Sequence, residues 1–219
     1  MDREFLAKIT KEELLDFLVE YAETDARFAN AVNVRFSEPD FEEELIKIEG
    51  IIDDALIGVA DWSRVRDSWG NVDICIGDIT TEICQRASQG HIRLAFAETE
   101  LLYLKLLELL EYQGECEISM DAEYCLELMS QIADKALHAD DKEYIFKRCI
   151  ALSICGVGKG YGADYEPELL TIALRFATVE NRADLEQALI RAESSWRAKE
   201  IKLISLELAK KLDGDMPRM

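Results

Sequence analysis

Apolar residues recur along most of this chain at three- and four-residue intervals, the spacing that lines one face of an α-helix. The pattern is densest from His91 to Gly114. There Leu94, Ala97, Leu101, Leu104, Leu107 and Leu110 go most of the way round a helical wheel, and Glu98, Lys105, Glu108 and Glu111 leave a narrow polar strip. A helix this apolar must be covered on several sides by other helices. The remaining segments read as its packing partners.

The pattern predicts ten helices. Thr10 and Glu13 form a capping box ahead of Leu14, Leu15, Leu18 and Tyr21. A second helix is expected from about Asp25 to Phe36. Pro39 opens a third, which runs to about Ala60 with Phe41, Leu45, Ile48, Ile52, Ala55 and Val59 on one side. After the connection 61–71, a fourth spans about Val72 to Gln89, capped by Asn71 and stopped by Gly90. The central helix ends at Gly114. Ser119 starts the next, through Tyr124, Leu128, Ile132 and Leu137. Asp140 and Glu143 cap the seventh, which ends at Gly156. Beyond the loop Gly156–Gly162, Pro167 opens the eighth, to about Thr178. The ninth spans about Arg182 to Ala192, and Ser194 or Ser195 caps the tenth, which ends at Gly214. No segment alternates apolar and polar residues for long, so the fold class is all-α.

Two internal echoes suggest repetition. Glu13–Ala22 matches Glu168–Ala177 position by position in apolar and polar character, and a short joint and an amphipathic helix follow each. Leu101, Tyr103, Leu104, Leu106, Leu109, Tyr112 and Gly114 find apolar or Gly counterparts in Ile201, Leu203, Ile204, Leu206, Ala209, Leu212 and Gly214. Reuse of a helix-turn-helix unit marks an α-solenoid. On these residues the chain resembles the degenerate helical repeats of the HEAT and tetratricopeptide type. Through Glu13–Phe36, Leu101–Gly114 and Ala133–Asp141 it is also weakly similar to the helical regions attached to SWIM zinc-finger proteins. The zinc finger itself has no counterpart here, and neither has the tetratricopeptide Trp-Leu-Gly-Tyr signature. The resemblance implies antiparallel helix pairs in an α-solenoid or irregular right-handed array, spanning 1–219 as one domain, with any sub-boundary near 156–164.

Composition narrows the function. The 219 residues carry 25 basic and 45 acidic side chains, a formal net charge of -20. Residues 175–219 hold nine basic and eight acidic groups, so residues 1–174 carry the whole excess. Binding to nucleic acid rests on neutralising phosphates, which this balance opposes. The segment after Met1 is Asp2-Arg3-Glu4 rather than an apolar leader, and no apolar run approaches the ~20 residues a membrane span requires. A cytoplasmic protein is therefore expected. Cys75, Cys84, Cys116, Cys125, Cys149 and Cys155 are expected as reduced, buried thiols among apolar helix positions.

Those cysteines are poorly spaced for a metal. Structural zinc wants closely spaced pairs, whereas Cys149 and Cys155 point about 120° apart on a helix and Cys75 and Cys84 lie on opposite faces. The Glu-x-x-His of di-iron bundles does not occur. His138 lies four residues from Asp134 and could face it, but is expected instead as a cation near a helix C-terminus, and the carboxylates Glu42, Glu43, Glu44, Asp53 and Asp54 are expected on a solvated face. Neither a catalytic constellation, nor a cofactor, nor a metal site is expected.

Two stretches stand out for binding. Trp62, Val65 and Trp69 would share a helical face flanked by Arg64 and Arg66, and Trp and Arg dominate binding hot spots. The loop around Gly158, Lys159 and Gly160, followed by a helix N-terminus, is where a small anion would sit. The leading expectation is a non-catalytic helical-repeat protein that binds a protein partner, one of basic character fitting the charge. Two alternatives stay open: a helical-bundle enzyme or small-ligand or metal sensor, and an acidic regulator that mimics nucleic acid. Homo-oligomerisation is expected through the last helix, where Trp196, Ile201, Ile204 and Leu208 lack an obvious cover.

Overall fold

A computed structural model of the protein describes residues 10–24, 40–60, 76–113, 116–155, 165–193 and 197–214. Among these, every regular element is a helix. Helix α1 is Lys11–Thr24, α2 is Phe41–Ala60, α3 is Gly77–Ser88, α4 is Ile92–Gln113 and α5 is Cys116–Asp134. Helix α6 is Ala139–Cys155, α7 is Glu166–Arg175, α8 is Arg182–Ala192 and α9 is Ala198–Asp213. The all-α expectation is met. No described helix is long and apolar enough to cross a membrane. The expected helix Asp25–Phe36, the Asn71 cap and the caps Ser194 and Ser195 lie outside the described residues.

The chain divides into two compact units, Met1–Asp40 and Phe41–Met219. In the first, the Thr10 N–H donates to Glu13 Oε2 at 3.0 Å and the Glu13 N–H donates to Thr10 Oγ1 at 3.2 Å. This reciprocal pair is the capping box, and it satisfies two of the backbone donors that a helix start leaves open. Leu15, Phe17, Val19 and Tyr21 of α1 are exposed.

In the second unit α4 packs on α5, α6 on α7 and α8 on α9. Alternate helices also touch: α2 with α4, α4 with α6 and α6 with α8, and likewise α5 with α7 and α7 with α9. The turn between α3 and α4 fixes the start of this array. Gly90 adopts φ +95°, a left-handed conformation that glycine takes without a Cβ penalty. The His91 N–H then reaches back to the Arg86 carbonyl at 3.1 Å and the Gly90 N–H to that of Ala87 at 3.3 Å. This paired closure of a helix end lets α4 begin at once.

Helix α4 is the axis of the core. From Leu94 to Glu100 every residue is at most 7% exposed. Leu102, Leu106, Leu107 and Leu110 continue the buried surface, meeting Ile48 and Ile52 of α2, Ile83 of α3, Met129 of α5 and Ile145 of α6 in one cluster. Each such side chain contributes about 1.5–3 kcal/mol by leaving water.

Several local expectations are corrected. Ser119 lies inside α5, which begins at Cys116. Asp140 is in the first turn of α6 rather than before it, so it acts on the helix dipole and not as the cap. His138 sits just ahead of α6, its carbonyl accepting from the Lys142 N–H at 3.2 Å, not at a helix C-terminus. Asp134 faces Arg175 at 2.7 Å instead. Cys125 and Cys149 are buried as expected, but Cys84 is half-buried and Cys155 exposed.

Candidate functional site

Neither stretch singled out above is available to describe a site. Trp62, Arg64, Arg66 and Trp69, and the loop residues Gly158, Lys159 and Gly160, lie outside the described residues. The structure instead brings together two groups of charged side chains that serve opposite purposes.

The first is internal. Glu98 is fully buried on α4, and the Arg86 guanidinium donates to its Oε1. The same guanidinium reaches Glu44 of α2 at 3.0 Å and Glu82 one helical turn back at 2.6 Å. Two residues on, Glu100 is 4% exposed and accepts a fork of hydrogen bonds from Arg148 of α6, two of them at 3.0 and 2.8 Å. The Arg93 guanidinium lies 5.1 Å from the centre of the Tyr144 ring, whose edges meet Phe41 and Phe96. So Glu98 is not part of a solvated strip, and Glu44 does not lie on a solvated face. Burying a carboxylate is costly unless it is paired and hydrogen-bonded. Arg148 meets that requirement for both oxygens of Glu100, and Arg86 for Oε1 of Glu98, whose buried Oε2 has no hydrogen-bond partner among the described residues; each arginine comes from a different helix packed on α4.

The second group is a surface groove. Helices α5, α7 and α9 line an open depression of about 730 Å³. Each helix offers a stripe at helical spacing: Glu123, Glu127 and Ser130 from α5, Glu168, Thr171 and Arg175 from α7, and Glu200, Leu203 and Glu207 from α9. Leu126, Pro167, Ile172 and Ile204 form the apolar floor between them. Tyr165 stands at one side, its hydroxyl 2.9 Å from that of Ser119. Burial of this ring pushes the phenol pKa up, so it stays a neutral hydrogen-bonding group.

The two arginines of the groove are occupied. Arg175 donates to the Ser130 carbonyl at 3.0 Å and to Asp134 at 2.7 Å. Arg197 forks onto Glu168 at 2.8 and 2.6 Å and also binds Glu200, tying α7 to α9. That bond holds the Glu200 carboxyl below the usual range. Glu123, Glu127 and Glu207 make no hydrogen bond or ion pair among the described residues. The wall is therefore left with uncompensated negative charge.

Sequence inspection missed this groove because its residues come from three helices spaced across the chain. The signal was present only as separate stripes, such as Glu123/Glu127 and Glu200/Leu203/Glu207, and nothing local says that the stripes face one another. The self-association surface is corrected too. Ile201, Ile204 and Leu208 are at most 5% exposed within the unit, the exposed large apolar residues of α9 are Leu203 and Leu206, and Trp196 lies outside the described residues.

What the arrangement can do chemically follows from its charges and thiols. Burial pushes the Cys125 and Cys149 thiols far up, which suppresses the thiolate that nucleophilic or metal-ligating cysteine needs. Among the described residues no three His, Cys, Asp or Glu side chains gather so as to hold a metal ion. The groove offers an apolar floor, negative walls and fixed hydrogen-bonding groups, the features of a surface that receives another molecule. No family model matches the chain, and no curated protein or solved structure is significantly similar to it.

Proposed function

We propose that this chain is a non-catalytic helical-repeat protein that works by holding a protein partner. The observation that carries the reading is the alternation of contacts in the second unit. Sequential helices α4–α5, α6–α7, α7–α8 and α8–α9 pack together, while α4–α6–α8 and α5–α7–α9 touch in two rows. Stacked pairs of this kind are how an α-solenoid of HEAT or tetratricopeptide character buries its apolar faces, each unit against its neighbours. Such a stack leaves the outward stripes of one row free to form an extended receiving surface, and the α5–α7–α9 groove occupies that position.

The acidic composition supports a partner that is basic rather than a nucleic acid. The test is co-purification of the tagged full chain from its native cells under moderate salt, with metal content measured on the same sample. The expected result is a stoichiometric protein partner that high salt releases. A chain that comes back only with itself, or with a stoichiometric metal, would overturn the reading in favour of a sensor or enzyme.

A further inference from the structure

We infer that the occupant of the α5–α7–α9 groove is a helical segment of another protein that carries Leu-like side chains along one face with Lys or Arg beside them. The inference rests on the repeat-scaffold reading and names its partner class. Three observations lead to it. The groove, at about 730 Å³, is as large as the concave sites that receive drug-sized ligands, and it is open along its length rather than enclosed. Its exposed apolar content centres on Leu203, 60% exposed, which stands over a floor where Leu126, Ile172 and Ile204 are at most 5% exposed. Its charge is one-sided: the positive charges of Arg175 and Arg197 are already committed to carboxylates, whereas Glu123, Glu127 and Glu207 have no partner among the described residues.

An apolar strip flanked by free carboxylates is complementary to an apolar strip flanked by ammonium or guanidinium groups. An acidic segment would meet like charge, and a purely polar basic chain would leave Leu203 wet. A helix laid into a groove presents anchors at i, i+3, i+4 and i+7. The carboxylate stripes of α5 and α9 repeat at the same intervals, so basic residues flanking those anchors recur in step with them.

The probe is a synthetic amphipathic peptide of Leu, Lys and Ala, titrated calorimetrically into the full chain. Two controls share its length: a scrambled peptide of equal charge, and one with Glu for Lys. The expected result is a single site for the Leu-Lys peptide. The triple variant Glu123→Gln/Glu127→Gln/Glu207→Gln should weaken it about tenfold or more, because close charge pairs across an interface carry specificity. Leu203→Ser should weaken it as well, while Asp140→Asn/Glu143→Gln/Asp184→Asn on α6 and α8 leaves it unchanged. These variants remove surface charge or one exposed side chain, and an unchanged helical circular dichroism spectrum confirms that each is folded.

Equal binding of the scrambled peptide, equal loss in the α6 and α8 variant, binding of the Glu peptide, or no binding at all would overturn the assignment. The scaffold reading fails separately. If a partner co-purifies and the triple variant still holds it, the groove assignment is lost and the scaffold reading stands. If nothing co-purifies and the peptide does not bind, both are lost.

Discussion

Leu101, Tyr103, Leu104 and Leu106 of α4 have counterparts one hundred residues on in Ile201, Leu203, Ile204 and Leu206 of α9, and the two sets are covered in different ways. Tyr103 and Leu106 are buried, whereas Leu203 and Leu206 are 60% and 68% exposed. Ile201 and Ile204 are buried where Leu101 and Leu104 are only half-buried. The reason lies in the neighbours. Helix α4 packs against α2, α3, α5 and α6, and α9 packs against α7 and α8. An apolar pattern tells that a helix will be covered, but the number of partners decides on how many sides. It also decides what becomes of the charges. In α4 the carboxylates of Glu98 and Glu100 are carried inside and held by Arg86 and Arg148. In α9 the charges stay at the margin as pins. Lys211 donates to the Leu174 and Arg175 carbonyls, both at 2.8 Å, and Asp213 receives Arg182 at 2.5 Å.

The strongest way to break this comparison is to remove apolar mass from each helix. Phe96 is fully buried, so Phe96→Ala should cost about 4 kcal/mol, from lost burial and the cavity left behind. Leu206→Ala removes an exposed side chain and should stay within about 0.5 kcal/mol. Urea denaturation of both variants measures the difference. A large loss at Leu206 would mean that something outside this chain covers α9 in solution.

What was legible in the sequence divides along the same line. Signals that act within a few residues were readable: the Thr10–Glu13 capping box, the Gly90 stop, and Pro167 in the first turn of α7 are all where the sequence places them. Readings that depend on which helix lies opposite were not. Glu98 looked like part of a polar strip because its partner, Arg86, is on another helix. The faces of α9 could not be sorted because α7 and α8 decide which one is covered. The echo between Glu13–Ala22 and Glu168–Ala177 makes the point again. Leu15, Phe17 and Val19 are exposed in α1, while their counterparts Leu170, Ile172 and Leu174 are buried in α7. The shared pattern specifies a helix and leaves its surroundings open. The groove assembled from three separate stripes was illegible for the same reason.

A second test contrasts the internal ion pairs of α4 with the marginal ones of α9. Arg86→Met removes the guanidinium that Glu98 needs and leaves a buried carboxylate uncompensated, a loss of about 3 kcal/mol. Arg182→Met breaks a pair whose side chains are 34% and 37% exposed. Solvent screening keeps its cost well below that of Arg86→Met. The double variant Arg86→Met/Glu98→Leu should recover most of the first loss, because the buried charge disappears with its partner. Failure to recover would show that Glu98 acts through shape rather than charge.

The smallest effect appears only in alkali, and it compares the interior of α6 with its C-terminal end. Cys149 is buried within the core, and Cys155 is exposed at the helix end. Burial raises the folded-state pKa of Cys149 and of Cys125 above the ordinary thiol value of 9.0. Below pH 9 both folded and unfolded thiols keep their protons, and the stabilisation is fully present. Above it the unfolded chain releases protons first, so stability falls as pH rises toward the folded-state values. The buried phenols of Tyr103, Tyr144 and Tyr165 are shifted the same way and add their own loss above about pH 10. Comparing stability at about pH 8.5 and 9.5 therefore avoids most of the phenol loss, and a variant lacking both thiols separates them from Lys211, whose burial shifts its ammonium down. The double variant Cys125→Ala/Cys149→Ala should show a flatter decline over that interval than the unmodified chain, whatever its absolute stability. At neutral pH an aromatic disulfide reagent should modify Cys155 rapidly, and Cys125 and Cys149 only as fast as the core opens. Equal rates at Cys149 and Cys155 would show that the packing around α4 opens as readily as the end of α6, and the contrast between covered and marginal helices would no longer hold.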